Sequence, residues 1–183
     1  MKRFAALVAA WIFAGSSAAF PQAAPPPAEV AETVSPPPML NVPLGEEPVD
    51  PYEMSNKNAG ATPFEGTQML EAFHGREGIA RIVEHLHRAI RHDARIADIF
   101  RATDMVRLRR TLNEQFCYIL NGGCDYTGRD MKTTHEDQGV TEAEFAALVE
   151  LLQDAMDAEH VLPSAQNRFL AKLAPMKRDV VVR

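Results

Sequence analysis

The sequence predicts an all-α domain in the longer, C-terminal part of the chain. Apolar residues there recur at spacings of three and four, which is the period of one helix face. Short motifs typical of helix ends separate these stripes, including a Thr-x-x-Glu capping box at Thr141–Glu144. No run of alternating apolar and polar residues suggests a strand. We therefore expect four main amphipathic helices joined by short connecting ones.

Residues 1–19 have the pattern of a secretory signal peptide. Lys2 and Arg3 give a positive start, an apolar run of 11 residues extends from Phe4 to Ala14, and small residues follow. That run is shorter than the ~20 residues that a membrane span needs, so we expect cleavage rather than a retained anchor. This predicts an exported, periplasmic protein with no membrane span after cleavage.

Residues 20–65 contain most of the 13 prolines, with triplets at 25–27 and 36–38. Proline fixes its own backbone dihedral and lacks an amide proton, so neither helix nor sheet extends easily through such a segment. We expect a disordered linker here, with a docking segment as the alternative, and a helical domain over residues 66–183.

The helical part begins with a short helix near residues 67–73 and a longer one near 77–92. The longer helix has one apolar stripe, formed by Ile79, Ile82, Val83, Leu86 and Ile90. His87 lies on the same stripe, because residues three and four apart are neighbours on a helix. A short helix or turn is expected at 93–100.

Two more long helices and a final one follow from similar signals. Thr103 or Asp104 caps the first of them, and Asn121 with Gly122 ends it. Its apolar positions are Met105, Leu108, Leu112, Phe116, Ile119 and Leu120. The next carries Phe145, Leu148, Val149, Leu152, Ala155 and Met156 on one face. Pro163 suits the first turn of the last helix, and Pro175 predicts its kink or early end.

One histidine stands on a short helix between these long ones. Gly123 and Gly128 precede it, and glycine permits backbone angles that a side chain forbids. Residues 130–135 can form two helical turns, which places Met131 and His135 on one face. The segment therefore presents one imidazole towards a cavity that other helices build.

Nine positions of this segment form one pattern, namely Tyr126, Thr127, Gly128, Met131, His135, Gly139, Val140, Thr141 and Phe145. The pattern resembles that of the group 1 truncated haemoglobins, and the resemblance extends over about residues 69–182. It implies a two-over-two helical sandwich, haem as the cofactor, and His135 as the proximal ligand of the haem iron.

Haem needs an iron ligand, an apolar slot and polar groups for its propionates. A neutral imidazole is a good iron ligand, and its second ring nitrogen can donate to a carbonyl that fixes its orientation. We expect the slot to be lined by Phe100, Met105, Leu108, Leu112, Phe116, Met131 and Phe145. Tyr126, Arg107 and Lys132 are candidates for the propionates, although Tyr126 has the alternative role of bracing the turn.

The side of the haem opposite His135 departs from the family that the chain resembles. Members usually place a tyrosine on the first long helix and often a glutamine on the next, whereas this chain has His87, Leu108 and Leu112 in that region. Three alternatives stay open for His87. It donates a hydrogen bond to the gas ligand, binds the iron itself, or packs at the pocket edge.

The chain has two cysteines, Cys117 and Cys124. Outside the cytoplasm such a pair can oxidise, so we expect a disulfide that ties a helix end to the turn leading to His135. Two free thiols are the alternative.

The formal net charge of −6 and the absence of a basic block argue against a nucleic-acid partner. The resemblance implies a haem protein that reversibly binds a diatomic gas, with oxygen first and nitric oxide or carbon monoxide next. One alternative is a nitric oxide dioxygenase or peroxidase-like enzyme, for which the sequence identifies no electron donor. The other is a haem-free helical interaction module.

Overall fold

The computed structural model describes residues 42–182, and over that range its regular structure is helical. The predicted signal peptide and residues 20–41 of the predicted linker lie outside the described residues. The α-helices are α1 (Gln68–Ala72), α2 (Gly75–His92), α3 (Met105–Ile119), α4 (Met131–His135), α5 (Glu142–Ala158), α6 (Pro163–Leu173) and α7 (Lys177–Val180). Short 3-10 turns occupy Asn56–Ala59, Ile99–Ala102 and Ala174–Met176. Every helix between residues 42 and 182 is too short or too polar to cross a membrane.

Helix α2 lies at the centre of the fold, because it packs against both α3 and α5. Its buried apolar residues are those of the predicted stripe, Ile79, Ile82, Val83, Leu86 and Ile90. Phe169 of α6 is also part of the buried core. Its ring meets those of Phe73 and Phe116 edge-on, with centroids 5.1 and 5.0 Å away. The predicted all-α class is therefore confirmed.

Local signals set the helix ends much as the sequence predicts. Asp104 caps α3, since one carboxylate oxygen accepts from the amides of Val106 and Arg107, each at 3.0 Å. Thr141 and Glu144 form the predicted capping box at the start of α5. The early helix end predicted at Pro175 is present, because α6 ends at Leu173 and the 3-10 turn that contains Pro175 leads into α7.

Residues 42–65, called here the N-terminal segment, are not the disordered linker that the proline content predicts. Ala59 is completely buried, and the amide of Phe64 donates to the carbonyl of Ile119 at 2.8 Å. Proline prevents regular structure, but an irregular chain can still satisfy its polar groups against helix ends and side chains. The folded unit therefore includes these residues, and its predicted boundary at residue 66 is corrected.

Candidate functional site

An apolar cavity of about 510 Å³ lies among the helices and is the main candidate for a functional site. This volume falls within the range of about 300–1,000 Å³ that is typical of sites for cofactors and small molecules. Leu86 and Ile90 of α2 form part of one wall. The remaining walls come from the turn after α2, from α3, from the loop and helix that carry His135, and from α5 to α7.

His135 is a half-buried side chain at the end of α4, and it lines this cavity. Asp130 caps the short helix by accepting from the amide of Thr133 at 3.0 Å. The Nδ1 of His135 lies 2.6 Å from the carbonyl oxygen of Met131, to which it can donate. With the proton on Nδ1, the lone pair of Nε2 is available to a ligand.

Burial lowers the pKa of His135 from its ordinary value, although its hydrogen bond to Met131 acts in the opposite direction. The imidazole is therefore mainly neutral near pH 7. A neutral ring with its other nitrogen bonded to a backbone carbonyl is the form in which histidine binds metals.

The structure brings most of the predicted slot residues together. Phe100, Leu108, Leu112, Phe116, Tyr126, Met131 and Phe145 all line the cavity with His135. Met105 differs, since it packs against the hydrophobic core and is not part of the lining. It is the first residue of α3, one turn before Leu108, and the cavity begins only at that later turn.

His87 is also outside the cavity lining. Its Nε2 lies 3.1 Å from the carbonyl oxygen of Met105, which accepts a hydrogen bond when Nε2 carries the proton. His87 therefore has a backbone partner outside the lining, and the three alternatives for its role stay predictions.

Three polar residues in the lining were not predicted from the sequence, namely Thr111, Gln115 and Thr134. Gln115 is only 6% exposed, and its Nε2 donates to the carbonyl oxygen of Ala59 at 2.9 Å. The same nitrogen lies 3.6 Å from the sulfur of Met131 and 3.8 Å from that of Met176. Helical spacing does contain the signal, because Gln115 lies three residues after Leu112 on the cavity face.

Two of the three candidates for propionate contacts, Tyr126 and Arg107, have other partners within the protein. The hydroxyl of Tyr126 donates to the carbonyl of Arg129 at 3.0 Å, and burial raises its pKa. Arg107 lies 3.1 Å from the carboxylate of Glu46, while Lys132 is exposed. Tyr126 thus braces the turn that leads to α4.

Gly128 lies against the side chain of Tyr126, and glycine is required there for a reason other than the predicted backbone freedom. Gly123 does have a positive φ, of 70°, but Gly128 is not among the described glycines with positive φ. A Cβ at Gly128 would instead lie 2.2 Å from the hydroxyl oxygen of Tyr126. Close approach of the ring therefore requires glycine at this position.

A disulfide joins Cys117, near the end of α3, to Cys124 in the following loop. Their Cα atoms are 5.7 Å apart. Between them, the amide of Gly122 donates to the carbonyl of Cys117 at 2.7 Å. The loop that leads to α4 is therefore covalently tied to the helix that forms one wall of the cavity.

The sequence model of the bacterial-like globin family matches residues 68–182. Among similar curated proteins, the group 1 truncated hemoglobin GlbN of Mycolicibacterium paratuberculosis is 28% identical over 116 residues, covering 63% of this chain and 85% of that protein. The group 1 truncated hemoglobin GlbN of Nostoc commune is 30% identical over 107 residues, covering 58% and 91%.

Solved structures show the same fold. Truncated hemoglobin from Tetrahymena pyriformis in its Fe(III) form has a TM-score of 0.60 at 19% identity, covering 63% of this chain and 98% of that one. The 2/2 hemoglobin from Synechococcus sp. PCC 7002 has a TM-score of 0.58 at 22% identity, with the same coverage. These similarities confirm the predicted two-over-two helical sandwich.

Proposed function

The chain belongs to the bacterial-like globin family, and from that premise we propose that its cavity binds haem with His135 as the axial ligand of the iron. The observation that carries the proposal is the imidazole of His135 in the cavity lining, with Nδ1 2.6 Å from the carbonyl oxygen of Met131. Haem iron takes such a ligand in globins. The Synechococcus relative is described as carrying covalently attached heme.

The residues of the cavity fit this cofactor. A macrocycle needs apolar contacts on both faces, and Leu108, Leu112 and Phe145 offer such surface from different helices. The volume of about 510 Å³ suits a group of cofactor size. Exposed Lys132, one residue after Met131, is the better of the two predicted cations for the propionates, because Arg107 is already paired with Glu46.

We further propose that the loaded protein reversibly binds a diatomic gas, which is the general activity of globins. Haem supplies the iron at which the gas binds, and the chain supplies a water-poor apolar space around it. Oxygen is the first expected ligand, with nitric oxide and carbon monoxide next. Thr111 adds little polarity to that space, since its hydroxyl lies 3.0 Å from the carbonyl of Arg107, to which it donates.

The proposal is tested by adding haem to the purified protein and recording its absorption. We expect a Soret band that shifts on reduction and again with oxygen, nitric oxide or carbon monoxide. The His135→Ala variant should lose tight haem binding, because the cavity then offers no imidazole, and added imidazole should restore part of the band.

The matched control is His85→Ala, which removes an exposed imidazole from α2 and should leave the spectrum unchanged. Circular dichroism verifies that each variant is folded. A parent protein that takes up no haem, or a His135→Ala spectrum identical to that of the parent, would contradict the proposed function. In the first of those outcomes the haem-free interaction module becomes the better account.

We also propose that the protein is exported to the periplasm. The signal pattern of residues 1–19 supports export, and so does the Cys117–Cys124 disulfide, because disulfides persist mainly in oxidising compartments. Cell fractions analysed by mass spectrometry after thiol alkylation test this. We expect a periplasmic chain that begins after about residue 19 and resists alkylation until reduced. A cytoplasmic chain with Met1 and two alkylated thiols contradicts the proposal.

A further inference from the structure

The N-terminal segment holds the loop that leads to α4 through two asparagines. The Oδ1 of Asn56 accepts from the amide of Tyr126 at 2.6 Å, and its Nδ2 donates to the carboxylate of Asp125 at 2.9 Å. The Nδ2 of Asn58 lies 3.2 Å from the carbonyl oxygen of Gly128. The 3-10 turn that carries both residues, Asn56–Ala59, is called here the asparagine turn.

Tyr52 of the N-terminal segment contacts the same loop. Its hydroxyl donates to the carbonyl of Thr127 at 2.7 Å, and the guanidinium of Arg129 lies 5.2 Å from the centre of its ring. Arg129 also donates to the carbonyl of Asp50 at 2.9 Å. Three consecutive residues before α4 are therefore bonded to a part of the chain more than 60 residues away in sequence, Thr127 and Gly128 through their carbonyls and Arg129 through its side chain.

The asparagine turn is also linked to the cavity through Gln115. The carbonyl of Ala59 accepts the amide of Gln115, and this amide touches the sulfur of Met131. Met131 is the residue whose carbonyl oxygen accepts from Nδ1 of His135. The turn is thus linked through one buried side chain to the group that orients the imidazole.

Helix α4 has only five residues, so it cannot fix its own direction. Helices shorter than about 12 residues are marginal on their own and depend on tertiary contacts. Its direction must come from tertiary contacts, namely its packing against α7 and the bonds that hold the loop at its N-terminal end. That loop is held by the N-terminal segment and also by Glu114 of α3, whose carboxylate accepts from the amide of Thr127 at 3.0 Å. We propose that the asparagine turn is a positioning element of the haem site, which sets the orientation of His135 towards the iron.

This inference rests on the proposed function, so its test has one arm with haem and one without. The variant is Asn56→Ala combined with Asn58→Ala. Lys57→Ala is the matched control, since Lys57 is an exposed residue of the same turn. Asn56→Gln is a second variant, because it keeps an amide that can accept from the Tyr126 amide and donate to the Asp125 carboxylate.

In the haem-loaded arm, resonance Raman spectra of the ferrous protein report the iron–histidine stretching band. Haem transfer to excess apomyoglobin gives the rate of haem loss. The double variant should shift that band and lose haem about tenfold faster, which is the scale on which outer contacts affect metal sites. Asn56→Gln should lie nearer to the parent, and Lys57→Ala should match it.

In the haem-free arm, hydrogen exchange is followed at the amides of residues 126–135. Exchange should become faster in the double variant and stay unchanged in Lys57→Ala. An unshifted iron–histidine band in a folded double variant overturns the proposal, even if thermal stability falls, because that pattern indicates a purely structural role. A parent that binds no haem contradicts the proposed function instead. The exchange arm then decides alone, and unchanged exchange overturns the proposal.

Discussion

Glu46 illustrates how one side chain of the N-terminal segment is tied to the helical body. Its side chain is 1% exposed, and it lies between the guanidinium groups of Arg107 and Arg110. The nearest partner is Arg110, whose hydrogen bond holds the pKa of the Glu46 carboxyl below its ordinary value. Arg110 in turn contacts Glu114 at 2.8 Å. A buried carboxylate of this kind is costly to remove, because its partners stay behind.

We expect Glu46→Gln to lower the free energy of unfolding by about 1–3 kcal/mol, the usual effect of losing hydrogen bonds to a buried charged group. Urea titration at pH 7 measures it. Glu142→Gln is the control, since the contact of Glu142 with Lys177 is exposed and its loss should leave no resolvable change.

The contacts of Glu46 with Arg107 and Arg110 also predict that the free energy of unfolding depends on pH. The pKa of Glu46 is lower in the folded chain than its ordinary value of 4.5. Its stabilisation is therefore fully present above about pH 4.5 and is lost as the pH falls through the lower folded pKa. The difference between the parent and Glu46→Gln should shrink at acid pH, and an equal difference at pH 7 and pH 3 would rule out this account.

The roles of some residues can be predicted from the sequence, and those of others cannot. His135 was found because its neighbours in sequence form a recognisable pattern, and the structure places it in the cavity lining. Glu46 was not found, since its partners lie more than 60 residues away and its own surroundings are rich in proline. Gln115 was not predicted as a lining residue, because the polar residues of an amphipathic helix usually face solvent.

Among the elements, α5 shows how a local signal affects the cavity. Thr141 and Glu144 form its capping box, and the first turn carries Phe145 into the cavity lining. The Oγ1 of Thr141 accepts from the amide of Glu144 at 3.3 Å, while the carboxylate of Glu144 accepts from the amide of Thr141 at 2.8 Å. The cap therefore orders one of the predicted slot residues.

Thr141→Ala should lower the free energy of unfolding by about 1 kcal/mol, which is typical for the loss of an N-cap. Thr141→Ser should cost much less, because serine keeps the hydroxyl. Urea titration of both variants measures the difference. Equal losses for alanine and serine would show that the methyl group of Thr141 matters and that the cap does not.

Helix ends were the most predictable elements, since caps and prolines act within a few residues. The path of the N-terminal segment was the least predictable. Proline correctly excluded a helix between residues 42 and 55, but exclusion of a helix does not establish disorder. Whether an irregular segment docks depends on partners elsewhere in the chain, such as Thr127 and Gly128, and periodicity carries no information about them.

For the whole molecule, the sequence predicted the all-α class and the helix faces, and the resemblance predicted the two-over-two arrangement. The cavity was predicted in large part, because helix phase decides which residues face inwards. Met105 lies outside the lining because phase fixes direction around a helix, whereas the position of the cavity along the helix depends on how the helices cross. His87 differs, since it lies along α2 between Leu86 and Ile90, which both line the cavity, so its exclusion is a matter of direction around the helix.

The attachment of the N-terminal segment bears on where an expression clone should begin. The globin family match starts at residue 68, and a clone trimmed to it would omit Glu46, the asparagine turn and Ala59. Such a product would keep every helix of the shared fold. It would nevertheless expose the amide of Gln115 and leave the loop before α4 unsupported on one side. The smallest complete unit of this globin therefore extends well upstream of the homology boundary.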